Sequence, residues 1–284
     1  MGEGLDICLF GLGEAGSLLA ADLVAAGAVV GAFDPAEVGT PEGVERFVHP
    51  SLAVRSAELV LAVTGGAEAK LAMLQSLDAI RTDAVYADFS TSSPELKNEL
   101  AALAGRRDLA FADVALMASV PGLGLSTPCL VSGPGAERCA GLVNDLGGRM
   151  DPIPGPPGAA AAKKLLRSVM MKGTAAVLLE SLEAGAALDD VEWLWENLTA
   201  EVTAADRSWL RRLVTGSKTH AGRRIHEMEA AEDMLDGLAV PAPMTRATIE
   251  SLTRLLEVDL PELPFPQVPA DLESSVLQPT LDPE

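Results

Sequence analysis

Apolar and polar positions alternate between two periods along the first half of the chain. Residues 7–10 form a short apolar run of strand length. Residues 17–26 are apolar and helix-compatible, Gly27 stops them, and residues 28–33 are again apolar and end on Asp34. The rhythm continues, with a strand predicted over 58–63, a turn at Thr64, Gly65 and Gly66, and a helix over 67–77. A further strand is predicted over 84–89. Pro94, preceded by Ser92 and Ser93, then opens a helix through residue 104, because proline is well suited to the first helical position. Residues 109–115 and 129–132 are the remaining strand candidates. Strands alternating with helices in this way predict a parallel, doubly wound sheet.

The pattern breaks at residues 151–158, where Pro152, Pro154, Pro156 and Pro157 exclude a helix or a central strand. From 159 to about 256 the composition is helical, and from 261 on it is rich in proline and acids, which predicts a loosely held tail. The predicted organisation is α/β. Residues 1–157 form a doubly wound parallel sheet, residues 158–260 an all-helical domain for substrate binding and dimerisation, and residues 261–284 the tail.

The first turn carries chemistry. Gly11, Leu12, Gly13, Glu14, Ala15 and Gly16 supply G-x-G-x-x-G directly after a strand and before a helix, with Asp34 a little over twenty residues past Gly11. Gly11 permits the tight turn, Gly13 lets the backbone approach a pyrophosphate, and Gly16 lets helix and strand pack closely. The helix N-terminus directs free N–H groups and partial positive charge at phosphates. Strand, turn, helix, second strand and acid together predict a Rossmann-type dinucleotide site. The Asp34 carboxylate suits two ribose hydroxyls and repels a 2′-phosphate, and no arginine stands at 35–37. NAD is therefore expected over NADP, with NADP still possible.

Composition narrows the rest. The 284 residues carry a formal net charge of −20, which disfavours nucleic acid and anionic membranes as partners and makes any cationic cluster stand out. No apolar run reaches the length needed to span a bilayer, and the N-terminal apolar stretch reads as a first strand rather than a signal peptide. Cys8, Cys129 and Cys139 show no metal spacing and read as buried thiols of a reducing compartment, so a cytoplasmic location is expected. His49, His220 and His226 are too scattered for a zinc site, and no metal is expected.

The helix opening at Gly158 holds Lys163, Lys164, Arg167 and Lys172 in an otherwise apolar or small stretch. Cations in a buried helix are costly unless they face a cleft. Lys164 and Ser168 share a face one turn apart. Desolvation and Lys163 would both lower the pKa of Lys164, as a proton carrier working near neutral pH requires. Taken alone, the helix also fits lysines that snorkel to solvent.

Three segments carry a resemblance: residues 10–16, the stretch from Asp88 through Ser90 and Thr91 to Pro94, and Gly158 followed six residues later by Lys164. Together they make the chain similar to the β-hydroxyacid dehydrogenases, the family of 3-hydroxyisobutyrate and 6-phosphogluconate dehydrogenases. The resemblance runs from residue 7 to about 256. It implies that Thr64, Gly65, Gly66, Ser90 and Thr91 line the nicotinamide side. It also implies that Lys164 is the general acid/base for hydride transfer to or from a β-hydroxy acid or related alcohol.

Two departures bear on the substrate. Met117, Ala118 and Ser119 stand in the family's substrate loop, with Met117 and Ala118 in place of its Ser-Gly, and Ser168 replaces the usual asparagine. Both resemble a branch with a phosphogluconate-dehydrogenase-like C-terminal domain, in which a Lys-Gly pair such as Lys172-Gly173 recurs. Arg167 and Lys172 are candidates to hold an anionic substrate, as arginine suits carboxylate or phosphate. The roles of His220, Arg223, Arg224 and His226 stay open between anion binding and a solvated basic face. A homodimer is expected, with the apolar helix from Gly158 at an interface. A non-catalytic NAD-binding module and an imine reductase are the alternative readings. Imine reductases commonly carry an acid or tyrosine where Lys164 stands.

Overall fold

Side-chain alternation along the strands builds two cores. Ile7, Leu9, Leu59, Leu61, Val85 and Ala87 point to one side of a sheet, and Cys8, Phe10, Val60, Ala62 and Tyr86 to the other. Each strand is therefore apolar on both faces, as a sheet covered on both sides requires. The computed structural model describes residues 4–257. The tail predicted from 261 on, and residues 258–260, lie outside the described residues.

The sheet comprises β1 (Asp6–Phe10), β2 (Val29–Phe33), β3 (Glu45–Arg46), β4 (Leu59–Ala62), β5 (Val85–Asp88), β6 (Ala110–Leu116), β7 (Cys129–Ser132) and β8 (Met150–Pro152), in the order β3-β2-β1-β4-β5-β6-β7-β8. The order reverses at β1, so the carboxyl ends of β1 and β4 flank the switch point where ligands bind in doubly wound sheets. Helices α1 (Glu14–Ala25), α2 (Pro50–Ala53), α3 (Ala69–Ser76), α4 (Pro94–Gly105) and α5 (Ala136–Asn144) connect the strands. Ser93 caps α4 by accepting from Leu96 N–H at 3.3 Å, with Pro94 in its first turn.

The expectation of a parallel sheet holds for β1 to β6, but β7 runs antiparallel to β6 and β8 is parallel to β7. The cause lies in residues 117–128, which supply only a one-turn 3₁₀ segment (Gly124–Ser126) and no crossover helix. Pro152 is accommodated because β8 is an edge strand. Four elements, β3, α2, α5 and β8, were not legible in the apolar pattern.

The described residues divide into two compact units, the first ending at Met171 and the second beginning at Lys172. The division falls inside α6 (Ala159–Ala187), a 29-residue helix. Helices α7 (Val191–Thr203), α8 (Arg207–Thr219), α9 (Ala221–Gly237) and α10 (Pro243–Glu257) follow. The second unit has a small core of Ala184, Leu235, Val240 and Ala242. In it the Glu180 carboxylate accepts from Met244 N–H (2.7 Å), Thr245 N–H (2.8 Å) and the Thr245 hydroxyl (2.6 Å) at the start of α10. No helix among the described residues is long and apolar enough to cross a membrane.

Candidate cofactor and proton-transfer site

The glycine-rich turn follows β1 at the switch point, and each glycine there meets a different constraint. Gly11 has φ +89°, and a Cβ on it would stand 2.3 Å from the Val63 carbonyl oxygen. A Cβ on Gly16 would lie 1.9 Å from the Gly11 carbonyl oxygen, so α1 can approach β1 only with glycine there. Gly13 differs from both: a Cβ on it would meet nothing within 4 Å. The chain itself does not require glycine at 13, and the space above it is left for a ligand. No side chain among the described residues caps α1, which leaves its first-turn N–H groups for a ligand.

Asp34 continues from the end of β2. Its Oδ2 accepts from Leu12 N–H at 2.7 Å and its Oδ1 from Ala36 N–H at 2.8 Å. A carboxylate has about four acceptor positions, so two remain for hydroxyl donors. Thr64, beyond β4, has a buried hydroxyl without a partner among the described residues. A Cβ on Gly66 would approach the Thr91 carbonyl oxygen to 2.9 Å, so the turn at 64–66 packs directly against Thr91 and Ser92. Thr64, Gly65, Gly66, Ser90 and Thr91 are thus assembled in one place. The open space over Gly13, the uncapped α1 and the unpartnered Thr64 hydroxyl all fit a bound dinucleotide.

Beneath this rim lies a buried charge cluster that the sequence did not announce. Lys97 Nζ stands 2.7 Å from Asp88 Oδ2, 2.9 Å from the Asp88 carbonyl oxygen and 3.2 Å from Asp113 Oδ1, and all three side chains are 0% exposed. The Asp113 contact is an ion pair without hydrogen-bond geometry. Ser90 donates its hydroxyl to Asp88 Oδ2 at 2.8 Å and lies 3.2 Å from the Ser92 hydroxyl. Asp113 Oδ2 accepts from the Ser132 hydroxyl (3.1 Å), Gly158 N–H (3.0 Å) and Ala161 N–H (3.1 Å), while Ser132 accepts from Ala160 N–H at 3.0 Å. The N-terminus of α6 is therefore capped from β6 and β7. Gly158, at φ +94°, touches the backbone of Pro94 so closely that a Cβ would sit 2.9 Å from its carbonyl oxygen. One polar network thus joins the Ser90 segment to the start of α6.

Lys164 follows on the second turn of α6 and is half-buried. Burial pushes the Cys129 thiol up to about 12, and the Lys164 charge acts against that rise. Cys129 pairs with Leu116, the last residue of β6. Lys164 is thus within electrostatic reach of Cys129, which opens β7 opposite the end of β6. Met117 is half-buried and donates its N–H to the Pro128 carbonyl at 2.8 Å, while Ala118 and Ser119 are exposed. Ser168 is half-buried one turn beyond Lys164, and Arg167 and Lys172 are exposed. Burial raises the other two thiols as well, Cys139 to about 12 and Cys8 further, so none of the three is a nucleophile at neutral pH. In the second unit, Arg223 pairs with Glu227, His226 with Glu229 at 3.0 Å, and Arg224 donates to the Ser217 hydroxyl at 2.6 Å.

Residues 6–136 match the model of the NAD binding domain of 6-phosphogluconate dehydrogenase. This part of the chain is thus similar to that NAD-binding domain. Residues 186–255 match a domain of unknown function, DUF1932. These matches agree with the resemblance read from the three motifs. No curated protein matches the chain. Among solved structures, a conserved hypothetical protein from Sinorhizobium meliloti 1021 is 28% identical, with 87% of each chain covered and a TM-score of 0.57. A conserved protein of unknown function, described as structurally similar to 3-hydroxyacid dehydrogenases, is also 28% identical over 88% of this chain and 96% of that one, with a TM-score of 0.56. An imine reductase from Myxococcus stipitatus in complex with NADP+ is 16% identical over 88% of this chain and 94% of that one, with a TM-score of 0.74. The NAD-binding domain and the helices after it share the 3-hydroxyacid dehydrogenase-like fold.

Proposed function

We propose that the protein is an NAD-dependent dehydrogenase of β-hydroxy acids or related alcohols, with Lys164 as the general acid/base. The observation that carries this reading is the capping of α6 by Asp113 and Ser132, which ties the start of the helix that bears Lys164 to β6 and β7. The nicotinamide, when bound, supplies the hydride chemistry. Gly11, Gly13, Gly16 and Asp34 hold the dinucleotide, and Thr64, Ser90 and Thr91 orient its reactive end. Lys164 Nζ takes the hydroxyl proton in oxidation and returns it in reduction. Asp34 and the absence of arginine at 35–37 support NAD over NADP. Arg167 and Ser168, along α6, are proposed to meet an anionic substrate group with residues 117–119, and Lys172 is proposed as a further cation for an anionic group.

The protein is also proposed to act as a homodimer. Leu166, Val169, Met170 and Leu179 are 57–76% exposed along α6, and exposed apolar surface of this kind suits an interface. A monomer by sedimentation at micromolar concentration contradicts this.

The decisive test follows nicotinamide absorbance with NAD or NADP and a panel of hydroxy acids, alcohols and cyclic imines, for the wild type and Lys164→Ala. Alcohol turnover is expected to fall by about 10²–10⁴ in the variant while cofactor binding is retained. Equal activity in the variant removes Lys164 from the reaction. Turnover of imines alone would replace the substrate class.

A further inference from the structure

Arg46 belongs to none of the motifs above, yet it is built into the adenosine end of the dinucleotide site. It sits on β3 in register with Ala32, two residues before Asp34 on the neighbouring strand. One terminal nitrogen of its guanidinium donates to the Asp34 carbonyl at 3.1 Å and to the Ala36 carbonyl, and the other donates to the Val38 carbonyl. The Asp34 carboxylate meanwhile accepts from Ala36 N–H and, across the turn, from Leu12 N–H. Three carbonyls of residues 34–38 thus converge on one planar cation, while the same segment fixes the carboxylate.

The geometry matters because Pro35, Ala36 and Glu37 are exposed, so little packing of their own side chains holds this loop. Water could satisfy the three carbonyls in many loop conformations. A fixed fork of donors satisfies them together in one. If the loop moves, Ala36 N–H moves, and the carboxylate loses a bond that sets its orientation toward the ribose. A lysine offers a point charge and cannot reproduce the fork.

We propose that Arg46 is a positioning residue for cofactor recognition. By clamping residues 34–38 it presents the Asp34 carboxylate, and so sets both dinucleotide affinity and selection against a 2′-phosphate. The selectivity half of this proposal rests on the NAD reading above.

The test is a fluorescence titration of the full-length protein with NADH and, separately, NADPH, for wild type, Arg46→Lys and Arg46→Met. It requires no substrate. The Kd for NADH is expected to rise about tenfold in Arg46→Met and several-fold in Arg46→Lys, with a clearly smaller change for NADPH. A Kd for NADH within about twofold of wild type in a folded variant overturns the proposal. Equal losses for the two cofactors overturn its selectivity half. If Arg46→Met does not fold, Arg46→Lys keeps the charge and is judged by the same criteria. Tighter binding of NADPH by the wild type defeats the NAD preference, whereas the clamp is judged on each variant's loss relative to wild type.

Discussion

Replacing Lys97 by methionine probes the energetic centre of the first unit. The side chain is fully buried, so the substitution keeps most of the volume and removes the ammonium alone. At an effective dielectric of about 20, attraction over the 2.7 Å to Asp88 is about 6 kcal/mol and over the 3.2 Å to Asp113 about 5 kcal/mol. Desolvating the three ions opposes these gains by several kcal/mol per ion. The intact cluster is therefore worth far less than the sum of its attractions. Removing the cation is another matter, because it leaves two carboxylates buried with no cation between them. The expected loss is about 3–5 kcal/mol.

Urea denaturation monitored by circular dichroism reads the loss directly, and thermal scans should show a fall of roughly 6–20 °C. The double variant Lys97→Met/Asp88→Asn removes one orphaned charge and should lose less than the two single variants added together. A second readout is functional. Asp113 holds Gly158 and Ala161 through its other oxygen, so disturbing it should lower turnover through the start of α6 while the glycine turn still binds cofactor. A Lys97→Met loss below about 1 kcal/mol, or strict additivity in the double variant, would refute the reasoning.

Other positions give sharper contrasts. Gly13→Ala should fold like wild type, since its Cβ meets nothing, but should weaken NADH binding about tenfold or more in a fluorescence titration. Gly16→Ala should instead destabilise by about 1–3 kcal/mol in urea, because its Cβ meets the Gly11 backbone. Tyr86→Phe should stabilise by about 1 kcal/mol, read as a rise in Tm, because the Tyr86 hydroxyl is buried without a partner among the described residues, in a stack against Phe111. Glu180 is held below the usual carboxylate range. Burial alone would raise it, but the Thr245 hydroxyl, the Met244 and Thr245 N–H groups and Arg246 together outweigh that. A lowered folded pKa means stability present above the ordinary value of 4.5 and lost as pH falls through the folded value. Glu180→Gln should therefore cost about 1 kcal/mol at pH 7, and the gap to wild type should close in acid, by denaturation at both pH values.

What could be read from the sequence tracks how local each constraint is. Gly11 and Gly16 answer to atoms of their own turn and the adjacent strand ends, so a six-residue motif is enough to announce them. Asp34 is legible because β1 and β2 are joined by one short helix that fixes the spacing. Arg46 was not, because it reaches the same loop from the far side of a turn, on a two-residue strand with no apolar pattern. Lys97 left a faint signal that went unused: with Leu100 and Ala104 it occupies the buried stripe of α4, where a charge has no place unless it is paired. Its partners, Asp88 and Asp113, lie at matched positions on neighbouring strands, and that register is not written in either segment alone. The antiparallel β7 was legible in principle from the missing helix over 117–128. The apolar face of α6 reads the same in sequence whether it is covered by its own chain or left open. Only the fold separates the two, with Lys164 half-buried while Leu166 and Val169 are exposed on the same turns.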